Sequence, residues 1–388
     1  MHPPTTLSRV SSKVQRAKIF DIKDVTHLDR LKIPIFSCSR LRGSGLRIPH
    51  FGKGLLKPQA EASVLMEAFE RFSAEFRAID AKRTVVNTYN EISNALNPHE
   101  LILPITCPYT EEAKLRWVEC WDLLNEKTVY IPANAIYYPY NAEGEIPLLK
   151  PNTNGLASGN TYEEAIFHGL MEVVERDAWS LVEYRKEVKP DIDLESLSGE
   201  PISILLKAYA AAGIELVLKD ITSDIGIPSV AAVSEDAIRK DPASMTIGFG
   251  SHLNPEIAII RAVLEVSQSR MVQLHGLRKD ADLKVEIARR MGYRRFKHLN
   301  RHWFTRSRAP VKIDNMQRLD TEDILEDIHV ALEILRSKGF KNAAVADLMR
   351  RAVCIPVVRV VVPGLEASVI EPERVGNRLD YTYRQRKC

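Results

Sequence analysis

Pairs of glutamates recur at helical spacing along this chain of 388 residues. Glu67 and Glu70 lie three positions apart in a stretch whose large apolar residues repeat every three or four positions, which predicts a helix. Glu172 and Glu175 have the same spacing in a second such stretch, and an arginine directly follows each pair. At about 100° per residue, side chains at this spacing share one helix face. The pattern therefore predicts two helices, each with an acidic face beside a basic side chain.

Other polar residues extend these faces. Ser63 lies one turn before the first pair, Glu164 lies about two turns before the second, and Arg261 and Glu265 are four apart on a third predicted helix. Simpler interpretations remain open for each residue, because helical glutamates are usually solvated. Glu164 also fits a capping box that begins at Thr161, and Arg261 with Glu265 fits a weak surface ion pair.

Five acids on two apolar-rich helices repel one another unless they are protonated or neutralised by cations. Carboxylate oxygens favour hard ions such as Mg²⁺, which usually also bind the phosphate oxygens of a substrate. Arginines beside the acids would then bind the phosphates. Lys53, in a loop rich in glycine and basic residues, is a further candidate phosphate contact, although loop lysines are usually solvated. The residue types thus favour a magnesium–phosphate site.

The familiar nucleotide-binding and hydrolase motifs are absent from the sequence. Gly52-Lys53-Gly54 lacks the upstream glycine and the Ser/Thr of a phosphate-binding P-loop, and Gly248-Phe249-Gly250 lacks the third glycine of a dinucleotide fingerprint. Neither HExxH nor GxSxG occurs, which disfavours a zinc protease or a serine hydrolase.

Long helices and groups of short strands must position these residues. The first helix is predicted from Leu65 through Phe76 to Ile79, the third is predicted to begin at the cap Asn254 and Pro255, and segments 117–123 and 127–131 are predicted to form a hairpin. The β-branched segments 343–348 and 353–362 are predicted to be buried strands. We expect an α+β (mixed α/β) fold with long helices packed on β-sheets, a basic amino-terminal arm over residues 1–30 and one domain over residues 31–388.

Composition excludes several classes of protein. With 54 basic and 51 acidic residues, the net charge of +3 argues against a protein built mainly to coat nucleic acid. The longest apolar run, 353–362, is interrupted by Pro356 and Arg359 and is too short to span a membrane. Five widely spaced cysteines without a CxxC or zinc-ligand pattern indicate reduced thiols, and we expect a cytoplasmic protein with no membrane partner.

Taken together and in order, the helical motifs resemble the ATP-site signatures of the YcaO family, over a region from about Ile33 to the carboxyl end. The first motif is Ser63-x-x-x-Glu67-x-x-Glu70-Arg71. The second joins Asn160-x-x-x-Glu164 to Gly169-Leu170-x-Glu172-x-x-Glu175-Arg176-Asp177, and the third is Arg261-x-x-x-Glu265-x-x-Gln268-Ser269-Arg270.

The resemblance implies a site for ATP and Mg²⁺. Residues that match the family's metal ligands are Glu67, Glu70, Glu164, Glu172 and Glu175, and those that match its nucleotide contacts are Ser63, Asn160, Arg176, Arg261 and Glu265. Family members activate a peptide backbone amide by O-phosphorylation, after which a nucleophile adds to the amide carbon. No residue of this chain is assigned to proton transfer.

The carboxyl-terminal region resembles the methanogen branch of the family. Pro363-Gly364-Leu365-Glu366 and Arg374-Val375-Gly376-Asn377-Arg378 carry this likeness, and the chain lacks the proline-rich tail that ring-forming members often have. That branch implies sulfide attack and a thioamide (thioglycine) in the α subunit of methyl-coenzyme M reductase. The implied partners are this protein substrate, a sulfide source, a TfuA-like protein and a second copy of the chain as a homodimer. Cys388, at the chain end, is a candidate sulfur relay, although a terminal thiol is more often incidental.

Two alternatives stay open at the level of sequence. A cyclodehydratase that forms azoline rings would share the whole ATP site. A non-enzymatic nucleic-acid or partner-binding role could use segment 284–312, where ten basic residues accompany one acid and several aromatic residues. Because the total charge is nearly neutral, we favour peptide or partner docking over nucleic acid for this segment.

Overall fold

The computed structural model describes residues 2–43, 45–141 and 144–379. Its helices are α1 (Pro3–Ser11), α2 (Lys57–Ser73), α3 (Ala78–Ala81), α4 (Ala133–Ile136), α5 (Tyr162–Arg185), α6 (Glu200–Ala211), α7 (Pro255–Leu274), α8 (Lys279–Met291), α9 (Tyr293–Leu299), α10 (Arg301–Phe304) and α11 (Ile324–Ser337). Its strands are β1 (Ile19–Asp24), β2 (Ile35–Arg42), β3 (Leu46–Lys53), β4 (Val85–Asn87), β5 (Leu115–Asp122), β6 (Lys127–Pro132), β7 (Leu156–Ser158), β8 (Glu215–Asp220), β9 (Ser229–Glu235), β10 (Thr246–Ser251), β11 (Ala344–Asp347) and β12 (Val357–Val361).

The chain divides into two compact units. The first unit comprises the residues up to Ala68 together with Lys186–Asp320, and the second comprises Phe69–Arg185 and the residues from Thr321 onward. Both units combine antiparallel sheets with helices, which confirms the predicted mixed α/β class. The single domain expected over residues 31–388 stays a prediction.

The first unit contains two three-stranded antiparallel sheets, β1-β2-β3 and β10-β9-β8. Helix α7 packs on the second sheet, and its apolar residues share a buried core with β8, β9 and α6. Strand β10 and helix α7 are so close that a Cβ on Gly250 of β10 would lie 2.2 Å from the carbonyl oxygen of Ala258 on α7. The predicted start of α7 is confirmed, since the Asn254 side chain accepts a bond from the Glu256 amide and Pro255 is the first helical residue.

The second unit contains a six-stranded antiparallel sheet in the order β4-β5-β11-β12-β7, with β6 paired to β5. The β5–β6 hairpin and the buried strands β11 and β12 were expected, but β12 begins at Val357, four residues after the predicted start at 353. Helix α5 packs on β12, where a Cβ on Gly169 would lie 2.6 Å from a methyl carbon of Val360. Its apolar stripe from Phe167 to Leu181 is buried, as predicted. The sheet thereby fixes which face of α5 points outward.

The first acidic helix is shorter than its apolar pattern predicts. Helix α2 ends at Ser73, because guanidinium groups take up its last carbonyls: Arg77 Nη2 donates to Phe72 O (2.7 Å) and Arg350 Nε donates to Ser73 O (3.0 Å). Ile79 lies on the separate helix α3 and is 52% exposed. The prediction of one helix through Ile79 was therefore wrong beyond Ser73.

Residues 1–30 contain more structure than the expected basic arm. Residues 3–11 form α1, and β1 pairs with β2. Val10, Ala17 and Ile19 are buried, so this segment contributes apolar side chains to the first unit. Among the described helices, none combines the length and the hydropathy that crossing a membrane requires.

Candidate functional site

Lys53 and Glu265 are brought together in the first unit. Lys53 is the last residue of β3, and its Nζ lies 3.1 Å from Glu265 Oε2 on α7. Each side chain is only 25% exposed, so the lysine is not the solvated loop residue that its surroundings in the sequence favoured. Arg261, one turn earlier on α7, is half-buried. The strand and the helix thus place a lysine beside a carboxylate at a partly shielded position.

Glu67 lies beside a histidine that the sequence analysis did not single out. His50 on β3 is buried, and its Nδ1 is 3.5 Å from Glu67 Oε1 on α2. The other ring nitrogen, Nε2, has no hydrogen-bond partner among the described residues. Ser63 lies one turn before Glu67 on the same helix. A single histidine on a strand gives no spacing signal, so only the fold could reveal that His50 supports Glu67.

Asn160 and Glu164 meet at the start of α5 in the second unit. Glu164 Oε2 accepts bonds from the backbone N–H and from Nδ2 of Asn160, both at 2.8 Å. The Glu164 N–H in turn donates to Thr161 Oγ1 at 3.2 Å, as a capping arrangement requires. One oxygen of Glu164 therefore has a structural partner, and the two predicted site residues form one local unit.

Glu175 is almost fully buried on α5, at 4% exposure. Its Oε1 lies 3.5 Å from Nη2 of Arg176, the next residue. The Arg176 guanidinium also lies over the ring of Trp179, 5.2 Å from its centroid. The aromatic ring and the glutamate together hold this cation against α5.

The Glu-Arg pair of α2 repeats that arrangement. Arg71 Nη1 lies 3.2 Å from Glu70 Oε1, and the guanidinium lies 5.8 Å from the centroid of the Tyr138 ring. Both side chains of the pair are largely shielded, at 21% and 13% exposure. The shared sequence phrase thus corresponds to a shared local structure: a shielded glutamate, the following arginine and an aromatic ring.

Arg359 is a buried cation near two of the predicted metal ligands. Its guanidinium donates to the carbonyl oxygen of Ala135 (3.1 Å) and to both the carbonyl and the side-chain oxygen of Asn152 (3.0 Å each). Burial lowers its pKa to about 10, and the carboxylates of Glu172 and Glu70 act in the opposite direction. Glu172 and Glu70 therefore lie in the electrostatic environment of one buried arginine. A charged residue within the apolar run 353–362 was the only sequence signal for it.

Within residues 2–43, 45–141 and 144–379, no group of three or more His, Cys, Asp and Glu side chains is placed to hold a metal ion. The predicted ligands contact their neighbours instead: Glu67 lies beside His50, Glu70 beside Arg71, Glu164 beside Asn160 and Glu175 beside Arg176. Carboxylates in a shielded region need such partners to avoid mutual repulsion. The assignment of metal ligands stays a prediction.

Asp177 anchors the carboxyl-terminal segment to α5. It is fully buried and accepts bonds from Nε and Nη2 of Arg378, both at 2.9 Å, and from the Glu366 N–H at 3.0 Å. Glu366 is also fully buried, and its carboxylate accepts the backbone N–H groups of Gly376, Arg378 and Leu379. Burial raises the pKa of Glu366 despite these bonds. The last residue of the Glu-Arg-Asp motif is thus a structural anchor.

Only two of the four described cysteines are core residues. Cys38 and Cys120 are buried, and burial raises the pKa of both thiols, that of Cys38 to about 12. Cys107 is half-buried and Cys354 is exposed. Neither buried thiol is suited to act as a nucleophile near neutral pH. Cys388 and the chain end at Tyr381–Cys388 lie outside the described residues.

Acidic neighbours in the first unit neutralise part of the basic segment 284–312. Arg289 binds Asp241 at 2.8 Å, and Arg306 binds Glu215 at 2.7 Å. Within the segment itself, Arg290 pairs with Glu286 one turn earlier on α8. The segment therefore carries less uncompensated charge than its composition suggests, which weakens the interpretation as a continuous nucleic-acid surface.

Comparison with known proteins identifies the family. A relative from Methanothermobacter thermautotrophicus, described as an uncharacterized protein, is 45% identical over 381 residues, 98% of each chain. An uncharacterized protein in the tfuA 3′ region of Rhizobium leguminosarum bv. trifolii is 27% identical and covers 95% of this chain and 88% of its own. The solved structure of YcaO from Methanopyrus kandleri bound with AMPPCP and Mg²⁺ has a TM-score of 0.81 at 30% identity, covering 97% and 94%. The family model for the YcaO cyclodehydratase, ATP- and Mg²⁺-binding, matches residues 51–366, and the chain therefore belongs to the YcaO family.

Proposed function

We propose that this enzyme uses ATP and Mg²⁺ to convert a peptide backbone amide into a thioamide, and that its target is a glycine in the α subunit of methyl-coenzyme M reductase. The observation that carries the proposal is the repeated arrangement in which a family-motif glutamate is held by a neighbouring cation or amide. It occurs at Lys53–Glu265, Asn160–Glu164 and Glu175–Arg176. The thioamide assignment is further supported by the 45% identity to a protein of the methanogen Methanothermobacter thermautotrophicus.

The side chains present suit a magnesium–nucleotide complex. Oxygen-only ligands match the preference of Mg²⁺, and the lysine and arginines beside them match that of phosphate. The residues that would hold the metal are Glu67, Glu70, Glu164, Glu172 and Glu175. Those that would contact the nucleotide are Lys53, Ser63, Asn160, Arg176, Arg261 and Glu265.

The proposed reaction exchanges oxygen for sulfur. The amide oxygen attacks the γ-phosphorus of ATP and ADP leaves; sulfide then adds to the amide carbon, and the oxygen departs with phosphate. Bound Mg²⁺ would neutralise charge on the triphosphate and polarise the γ-phosphoryl group. Most of the acceleration in such a transfer comes from positioning and from electrostatic stabilisation, which are the contributions that fixed charged side chains can make.

Ion pairs between the proposed site residues allow a cation and a carboxylate to change partners when Mg·ATP binds. Lys53 and Arg176 each contact a glutamate, and both side chains are shielded enough for charge interactions to be stronger than in bulk water. If Glu175 binds Mg²⁺, Arg176 becomes available to a phosphate oxygen. Glu265 is a proposed nucleotide contact and not a metal ligand, so Lys53 would remain beside it. Glu175 and Arg176 would thus each have a partner of opposite charge both with and without Mg·ATP.

Mass spectrometry of a peptide product tests the proposal. The protein is incubated with ATP, Mg²⁺, sulfide and a peptide that contains the target glycine sequence. A thioamide increases the peptide mass by about 16 Da, whereas the alternative cyclodehydratase reaction decreases it by about 18 Da. An unchanged mass with all four components present contradicts both reactions.

A TfuA-like protein is the proposed partner for sulfur delivery. The support is that one relative is described as a protein in a tfuA 3′ region. If the proposal holds, adding such a protein raises the rate of thioamide formation from a natural sulfur donor more than from free sulfide. Equal effects on both donors would contradict a role in sulfur delivery.

A further inference from the structure

A small groove is formed by α9, α10 and Thr305 in the first unit. It encloses about 280 Å³, near the lower end of ligand pockets at roughly 300–1,000 Å³. Its walls combine the aromatic rings of Tyr293 and Phe304 with the basic side chains of Arg294, Lys297 and Arg301. Its dimensions suit one or two side chains of a bound segment. The function proposed above does not use this feature.

Helix α10, which contributes Arg301 and Phe304 to the groove, is well anchored. Trp303 on α10 is 1% exposed and packs edge-on against Phe249 of β10, with ring centroids 5.7 Å apart. His302 is also buried beside it. Since Trp303 and His302 anchor α10 inward, the backbone from which Arg301 and Phe304 project into the groove is fixed. A preformed wall of this kind reduces the entropy lost on binding.

The ion pairs of the basic groove residues show which of them can bind an acidic ligand. Both oxygens of Glu235 accept bonds from Lys297, at 2.7 and 2.6 Å, and one also accepts a bond from Tyr293. Lys297 is thereby neutralised. Arg294 and Arg301 are exposed and form no ion pair with any residue that the structure describes. The groove thus has an excess of two guanidinium groups beside two aromatic rings.

We propose that this groove binds an acidic protein segment that carries an aromatic or large apolar side chain. The two guanidinium groups would bind carboxylates, and the rings of Tyr293 and Phe304 would bury the apolar side chain. Nucleic acid is the less suitable polyanion, because its affinity arises from many phosphate contacts along a track, and the neighbouring cations Arg289 and Arg306 are already paired. The binding does not depend on ATP or on the proposed thioamide chemistry.

Fluorescence anisotropy with three labelled peptides of equal length tests the inference, without ATP. The first contains four Asp or Glu residues around one Phe; the second has Ser in place of Phe; the third has Asn and Gln in place of the acids. We expect the first to bind most tightly, with an affinity that falls as salt is raised. The other two should bind roughly tenfold more weakly or worse, since each lacks one of the two interactions.

A matched pair of variants locates the binding. Arg294→Gln with Arg301→Gln removes the two unpaired groove charges, and Arg308→Gln with Lys312→Gln removes two exposed charges from the same segment outside the groove. We expect a loss of roughly tenfold or more for the groove variant and less than about twofold for its control. All four positions are exposed, and circular dichroism establishes that both variants fold.

Three outcomes would overturn the inference: no measurable binding of the acidic aromatic peptide at low salt, equal losses in the two double variants, or tighter binding of a twelve-nucleotide oligothymidine than of the peptide. Because ATP is absent throughout, a failure here leaves the proposed enzymatic function untouched. Conversely, peptide binding by a catalytically inactive variant supports the proposed groove but says nothing about the proposed enzymatic function.

Discussion

Replacing Glu175 by Gln separates the electrostatic role of this carboxylate from its role in the fold. The substitution keeps the shape of a side chain that is only 4% exposed and removes one negative charge. In the free protein it weakens the contact with Arg176 at 3.5 Å, but that arginine is 20% exposed and can still be hydrated. It also relieves repulsion from Glu172, worth a few tenths of a kcal/mol at this spacing. We therefore expect the free energy of unfolding to change by less than about 1 kcal/mol.

The effect on turnover should be much larger. Loss of one anionic ligand removes several kcal/mol of charge stabilisation at a magnesium site. A loss of roughly 3–4 kcal/mol corresponds to a rate decrease of about 100–1,000-fold. Peptide-dependent ADP release, followed by a coupled assay, measures this decrease. Glu163→Gln, on the first turn of the same helix but outside the proposed ligand set, serves as the matched control and should retain turnover.

Thermal unfolding supplies a second readout for the same pair of variants. A ligand at a hundred times its Kd stabilises a protein by about 2.7 kcal/mol. Mg·ATP should therefore raise the Tm of the unmodified protein and of Glu163→Gln, but not that of Glu175→Gln. If Glu175→Gln keeps both its turnover and its stabilisation by Mg·ATP, the metal assignment on α5 is wrong.

Three further predictions concern other residues. Arg261→Ala should raise the KM for ATP by roughly tenfold with little change in Tm, as expected for a lost charged contact to phosphate; an unchanged KM would leave Arg261 as a surface residue. Arg378→Met should lower the free energy of unfolding by about 3–5 kcal/mol in urea titrations, because it leaves the buried carboxylate of Asp177 without its cation. Adding Asp177→Asn should recover part of this loss. A double variant as unstable as Arg378→Met would show that the unpaired carboxylate is not the cause. The hydrogen bond from Lys57, followed by those from Thr26, lowers the pKa of Asp24 from 3.8 to about 2, so the Asp24–Lys57 pair stabilises the fold above pH 4 and loses its effect as the pH falls through 2. Asp24→Asn should therefore lower the urea midpoint at pH 7 and have a much smaller effect near pH 2, and an equal shift at both values would exclude the ion pair as the cause.

The sequence predicted the acidic helices well because their apolar stripes follow a helical period. The stripe of α5 is buried as expected, and α7 begins at the predicted cap. The end of α2 could not be predicted, since the guanidinium groups that take up its last carbonyls include that of Arg350, which is 277 positions away from Ser73. The apolar pattern simply continued across the boundary into α3.

For the candidate site, sequence patterns found residues that share a helix but missed their partners from the strands. His50 and Arg359 lie on β3 and β12, and each contacts or influences predicted ligands through tertiary structure alone. The capping alternative predicted for Glu164 involved Thr161 and not Asn160, and spacing cannot distinguish a capping carboxylate from a metal ligand. Which side chains contact the site glutamates depends on how strands and helices pack, and residue spacing along one helix does not reveal this packing.

Transfer of labelled oxygen to phosphate tests whether the amide oxygen is phosphorylated. A substrate peptide with oxygen-18 in the carbonyl of its target glycine is incubated with the protein, ATP, Mg²⁺ and sulfide, and the released phosphate is analysed by mass spectrometry. If the amide oxygen attacks ATP, the released phosphate contains one heavy oxygen for each thioamide formed. Thioamide formation with unlabelled phosphate, the heavy oxygen being released to water instead, would contradict phosphorylation of the amide.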